Sequence, residues 1–199
     1  SVVTVALNGL GEPALAQMPT NIPGVTEENA DQYDVEKAKE WLGKSGVDPA
    51  EIKFSIICSD DTKKRAGEVV QANLKEIGIE CTLESMDLAT YLSATAEGDF
   101  VAAIGGYGMS DTISYFNGVF HSKSINNPEI DALIDQASKT IDKEEREALT
   151  TQCAAMLNQI CPQAPLYQTI SLRAFNADLE GVTINDAGDL RIENISWKK

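Results

Sequence analysis

Ile52-Lys-Phe-Ser-Ile-Ile-Cys58, Thr62 to Ile77 and Ile79-Glu-Cys-Thr-Leu-Glu84 form one continuous strand, helix and strand signal, and that signal decides the fold. The first run is rich in residues that suit a pleated, half-buried surface. The second places Ala66, Val69, Val70, Leu74 and Ile77 on one face at helical spacing and stops at Gly78. The third alternates apolar and polar residues with period two. The pattern then repeats: Leu88 to Ala96 predicts a helix ending at Gly98, and Phe100-Val-Ala-Ala-Ile104 a short buried strand. Strands alternating with helices predict an α/β fold whose mostly parallel sheet is flanked by helices.

Upstream, Asp34 is placed to cap a short helix over 35–42, with Gly43 and Gly46 as stops. Residues 8–34 are loop-like, because Asn8-Gly-Leu-Gly-Glu-Pro13 and Met18-Pro-Thr-Asn-Ile-Pro-Gly24 interrupt any period. So long an irregular stretch is rare within one compact domain and predicts a segment lying on a neighbouring one. The opening Ser1-Val-Val-Thr-Val-Ala-Leu7 reads as a cut edge or the tail of an element, at a processing site or a boundary. Downstream the chain is helical over 128–138 and 143–160, the second helix aligning Leu149, Cys153, Met156, Leu157 and Ile160. Pro162 and Pro165 lead into an extended Leu166-Tyr-Gln-Thr-Ile170, and 174–197 is rich in turns and short β runs.

The 31 acidic residues exceed the 16 basic ones, giving a formal charge of −15, and there is no Lys/Arg stripe. Such a surface repels phosphate backbones and anionic lipid, which argues against nucleic-acid binding. No apolar run approaches the ~20 residues that span a bilayer. The four cysteines are too scattered for a disulfide framework. Cys153 and Cys161 on one helix would lie ~12 Å apart along its axis, beyond the ~7 Å Cα separation a disulfide tolerates. Cys58 and Cys81 fall in strand-like runs and read as small buried hydrophobes.

Several stretches, taken in order, now resemble one family. They are Asn8-Gly-Leu-Gly-Glu-Pro-Ala14; Tyr33-Asp-Val-Glu-Lys-Ala-Lys-Glu-Trp-Leu42 with Gly46; Gln71-Ala-Asn-Leu-Lys-Glu-Ile-Gly-Ile79; Met86-Asp-Leu-Ala-Thr-Tyr91; Gly98-Asp-Phe100; Asn127-Pro-Glu-Ile-Asp-Ala-Leu-Ile134; and Ala164-Pro-Leu-Tyr167. Together they resemble the C-terminal half of the family 5 extracellular solute-binding proteins, the peptide and nickel receptors of ABC importers. The resemblance implies a type II periplasmic-binding-protein-like lobe. It divides the chain into an irregular segment 1–34 facing or joining a missing N-terminal lobe, an α/β second lobe over 35–170, and a return segment 171–199. It also implies closure of two lobes around a small solute of the oligopeptide or nickel-chelate class, with an ABC permease as partner, no cofactor and an extracytoplasmic location, in the periplasm or lipid-anchored at the outer face of the membrane.

In the family the strand matching 100–104 leads into a loop lining the cleft, and peptide-binding members place a carboxylate there for the ligand's α-amino group. Counted back from Asp111, that position falls on Gly108, and the family's aromatic residue falls near Gly105 or Gly106, with Tyr107 the nearest ring. A buried ammonium without a carboxylate is costly, so the departure points away from simple dipeptides. Tyr107, Gly108, Met109, Ser110 and Asp111 are the ligand-binding candidates: glycines admit close backbone approach, Tyr107 offers a face and a hydroxyl, and Met109 an adaptable apolar surface. The structural alternative is a tight loop with Asp111 capping the next helix. Tyr115 and Phe116 read as core or cleft wall. His121 is the sole histidine, without the second ligand a metal site needs. Glu144-Glu145-Arg146-Glu147 reads as a solvated helix face.

An enzyme would have to build its nucleophile and base around His121, and nothing in the sequence places a cysteine or serine beside it. Gly105-Gly-Tyr-Gly108 has neither the lysine of a phosphate loop nor a GxGxxG spacing. The chain therefore reads as a binding module without turnover. The alternative is the effector domain of a transcription regulator.

Overall fold

The computed structural model describes residues 2–19, 22–106, 127–170, 172–185 and 189–198. It divides into two compact units, one formed by residues 1–13, 32–106 and 166–169, the other by 14–31, 107–165 and 170–199.

The first unit is built on the strand–helix–strand signal. Strands β2 (Lys53–Cys58) and β3 (Glu80–Ser85) pair in parallel over their whole length, from Lys53↔Glu80 to Cys58↔Ser85. Strand β4 (Ala102–Ala103) pairs in parallel with the other edge of β2, so the spatial order is β3-β2-β4. Helix α3 (Asp61–Glu76) lies on one face. Ala66, Val70 and Leu74 enter a core with Phe54, Ile56, Cys81, Leu83 and Ile104. The approach is close: a Cβ on Gly67 would lie 2.8 Å from Leu83 Cδ2 and 3.2 Å from Ile104 Cδ1. Helix α2 (Val35–Ser45) starts at Asp34, whose side chain accepts from the Lys37 amide, and ends at Gly46 in the left-handed conformation. Helix α4 (Leu88–Glu97) is capped by Asp87 and ended by left-handed Gly98. All four caps satisfy backbone groups that a helix end leaves unpaired.

Two elements depart from the sequence reading. Val2–Leu7, read from sequence only as a cut edge or the tail of an element, is a helix, α1, although its β-branched residues favour strand. Ala6 is buried in the core beside α3, and Arg65 Nη2 donates to the Ala6 carbonyl at 3.1 Å, so tertiary packing overrides propensity. Strand β4 keeps only two of the five residues over 100–104: Phe100 and Val101 are exposed, and the ladder begins where Ala102 meets Ile56. A second, antiparallel pair joins β1 (Gly11–Pro13) to β5 (Tyr167–Thr169).

The second unit is organised by α5 (Pro128–Lys139) and α6 (Lys143–Ile160). Asn127 caps α5 with Pro128 in its first turn, and Asp142 caps α6. Arg146 Nη1 donates to the Thr140 and Ile141 carbonyls and so ties down the connection. The prolines and glycines of 14–31 are built into this unit, with Met18 and Ile22 buried among Ile130, Ile134, Cys153 and Leu157. Asn158, buried in α6, fastens the segment: it accepts from the Gln17 amide at 3.0 Å and donates to the Thr26 and Glu28 carbonyls at 2.8 and 2.9 Å. Such bonds supply what an irregular buried backbone lacks. Two short antiparallel pairs complete the described part: β6 (Leu179–Glu180) with β9 (Ser196–Trp197), and β7 (Thr183–Ile184) with β8 (Leu190–Arg191).

Candidate functional site

Strand order locates the site. The chain passes from central β2 through α3 to β3 on one side, then from β3 through α4 to β4 on the other side of β2. The strand order thus reverses about β2, and in open parallel sheets the crevice beyond the carboxyl ends at such a point is where ligands bind. The turn after β2 supplies Ser59 and Asp60, the first turn of α3 supplies Lys63, and Ile104, Gly105 and Gly106 follow β4.

Asp60 is both helix cap and ion-pair partner. Its Oδ1 accepts the Lys63 amide at 2.9 Å, and its Oδ2 accepts Lys63 Nζ at 2.6 Å. Lys63 Nζ also donates to Ser59 Oγ at 3.1 Å and stands 5.9 Å from the centre of the Tyr91 ring, within cation–π range. Tyr91, buried in α4, donates its hydroxyl to the Ile104 carbonyl at 3.0 Å. Partial burial pushes the Asp60 carboxyl up, but the Lys63 side chain, the amides of Lys63 and Thr62 and the Lys63 charge together hold it below the usual aspartate value. Tyr167, at the start of β5, is pushed above the usual tyrosine value by burial and then by the Asp60 charge, so its hydroxyl remains a neutral donor. The edge therefore offers a charge pair, the Ser59 hydroxyl and two glycines, with Tyr91 buried behind them, a set suited to holding a polar solute.

The candidates Tyr107, Gly108, Met109, Ser110 and Asp111 lie outside the described residues, as do Tyr115, Phe116 and His121. The described chain reaches Gly105 and Gly106 at the carboxyl end of β4, immediately before them. Sequence reading missed Asp60, Lys63, Tyr91 and Tyr167. The available signal was Ser59-Asp-Asp61 directly after a predicted parallel strand, since that turn must open at the carboxyl edge. Among the described residues no group of His, Cys, Asp or Glu is placed to hold a metal ion.

Elsewhere, a shallow apolar hollow of about 240 Å³ is lined by Lys39, Leu42, Gly43, Val47, Pro49 and Ile77. It opens beside the residues that precede β2 and β3, at the amino edge of the sheet, and lacks converging polar groups. All four thiols are free, with Cys58, Cys81 and Cys153 buried and Cys161 exposed. Burial pushes the Cys81 thiol up and carries Cys153 to about 12. Cys161, the left-handed residue that ends α6, is raised by burial and the Asp31 charge against the lowering effect of Gln17.

Residues 1–127 match the sequence model of the bacterial extracellular solute-binding proteins, family 5 Middle. The chain belongs to the family 5 extracellular solute-binding proteins. It is 26% identical over 197 residues to heme-binding protein A of Haemophilus influenzae, covering 91% of this chain and 36% of that protein. It is 26% identical over 218 residues to the oligopeptide-binding protein OppA of Bacillus subtilis, covering 100% of this chain and 40% of that protein. The dipeptide-binding protein of Pseudoalteromonas sp. SM9913, solved with Met-Leu, superposes with a TM-score of 0.81 at 22% identity, covering 99% of this chain and 42% of that one. The chain thus spans about two fifths of the length of these family 5 proteins. Its fold is that of a periplasmic-binding-protein lobe, a parallel sheet flanked by helices, and these family 5 relatives are binding proteins. No helix among the described residues is long and apolar enough to cross a membrane.

Proposed function

We propose that this chain forms a lobe of the solute-binding component of a bacterial ABC importer, taking an oligopeptide or a related solute such as a nickel chelate. The observation that carries this reading is the family match over residues 1–127, which includes both strand ends of the candidate crevice. Relatives named for binding oligopeptide, dipeptide and heme support solute binding as the common theme. In the proposal the solute lies at the carboxyl edge of β2 and β4, and Tyr107, Gly108, Met109, Ser110 and Asp111, which follow Gly106 in sequence, remain ligand-binding candidates. A second lobe closes over it, carried by the length of the relatives that this chain does not span, and closure removes the solute from water. In the same proposal the return segment 171–199 faces that lobe. Leu172, Ile192 and Trp197 are 61%, 72% and 64% exposed, apolar surface that such a lobe would cover. The protein acts outside the cytoplasm, in the periplasm or lipid-anchored, delivers solute to a membrane permease and turns nothing over. No observation favours the regulator alternative.

The test is thermal-shift and calorimetric titration of the full-length protein with pooled di- to pentapeptides, Ni(L-histidine)₂ and, as a control, oligosaccharides. Saturable binding of peptides or chelate without chemical change is expected. Oligosaccharide binding alone would contradict the reading, as would hydrolysis of the peptides that is lost on His121→Ala. If free-amine dipeptides bound more tightly than longer or amine-blocked peptides, the argument from Gly108 would fail.

A further inference from the structure

Strand β4 has only two ladder residues, so its direction beyond the sheet depends on what holds Ile104. Ile104 is held from two elements: its amide donates to the Ile57 carbonyl of β2 at 3.0 Å, and its carbonyl accepts the Tyr91 hydroxyl of α4 at 3.0 Å. The Tyr91 ring in turn lies under Lys63 Nζ, which is bonded to Asp60 and Ser59. A continuous set of contacts, Asp60–Lys63–Tyr91–Ile104, therefore joins the carboxyl end of β2 to that of β4 across the point where the strand order reverses. Among the described residues Tyr91 links this set to the end of β4, and its hydroxyl donates to a main-chain carbonyl that precedes two glycines. Glycines bring no side chains to hold their own backbone, so an external clamp has most effect there.

We propose that Tyr91 is a positioning residue for solute binding, fixing the path by which the chain leaves β4 at the crevice and coupling it to the charged turn after β2. The proposal rests on the solute-binding reading above. Backbone and side-chain groups that grip a solute must be held before it arrives, because ordering them on binding lowers affinity.

Tyr91→Phe in the full-length protein keeps the ring and its place beside Lys63 but removes the donor. Amide exchange at Gly105 and Gly106 should rise about tenfold, the scale of one lost buried hydrogen bond. Affinity for the di- to pentapeptide pool should weaken about tenfold, with the thermal midpoint lowered by only a few degrees. A role confined to stability would lower the midpoint and leave peptide affinity unchanged, and that result overturns the proposal. Unchanged exchange at Gly105 and Gly106 also overturns it. If the parent protein binds none of the pool, the peptide reading fails separately, and exchange alone decides whether Tyr91 holds the end of β4.

Discussion

Asn158 offers the sharpest test of how the irregular segment 14–31 is held. Its side chain makes three hydrogen bonds to main-chain groups of that segment, from the Gln17 amide and to the Thr26 and Glu28 carbonyls, and it is 2% exposed. Asn158→Leu preserves volume but leaves one buried and two part-buried main-chain groups without this partner. Each such loss costs about 1–3 kcal/mol. Partial recovery through water and the gain from burying an apolar side chain bring the expected net loss to about 3 kcal/mol. Urea unfolding followed by circular dichroism measures it, and hydrogen exchange should localise the loosening to 14–31. Asn158→Asp sharpens the argument through pH. One oxygen can still accept from Gln17, but the other then faces two carbonyls and raises the new carboxyl's pKa in the folded state. A raised folded pKa means stability is fully present below the unfolded value of about 3.9 and lost as pH rises through the folded value. The Asp variant should therefore be least stable near neutrality and recover toward pH 4. A loss below ~0.5 kcal/mol for Asn158→Leu, or a deficit for Asn158→Asp that does not change with pH, would refute the clamp.

Gly67→Ala sets the ~1 kcal/mol gain in helix propensity against a methyl placed 2.8 Å from Leu83 Cδ2 and 3.2 Å from Ile104 Cδ1. Overpacking costs about 1–3 kcal/mol, so urea titration should show a net loss of about 1 kcal/mol. Alkylation at pH 8 followed by peptide mass spectrometry should label Cys161 first and Cys153, at about 12, only on unfolding; early Cys153 labelling would contradict its burial. The Asp60 carboxyl is held below its usual value, so its contribution is present above the unfolded pKa of about 3.9 and fades as pH falls through the lower folded value. Asp60→Ala should cost about 1 kcal/mol through the lost cap, whereas Asp60→Asn, which still caps, should cost less in the same denaturation assay.

Much of the fold was legible because local signals agreed with one another. Asp34 and Pro128, with stops at Gly46, Gly78 and Gly98, bound helices whose observed limits agree or shift by up to three residues. The predicted helix 143–160 has the observed limits. The alternation across 52–84 became a parallel pair in full register. Local pattern failed where distant residues decide the outcome. Helix α1 forms from a β-prone run because Ala6 is buried beside α3, and β4 is short because only Ala102 and Ala103 meet β2. Cys161 adopts the left-handed end of α6, where sequence offered no glycine as a signal. The site was legible in kind but not in membership. Family likeness directed attention to the loop after β4, while Asp60, Lys63 and Tyr91 gain their meaning only when the ends of β2 and β4 lie side by side.

The most direct measurement of the central claim is amide hydrogen exchange of the full-length protein with and without saturating peptide pool or Ni(L-histidine)₂. Solute binding at the carboxyl edge predicts protection at Ser59 to Lys63 and at Ile104 to Gly106. Protection confined to Lys39, Leu42 and Ile77 around the amino-edge hollow, or none in either region with solute bound, would contradict it.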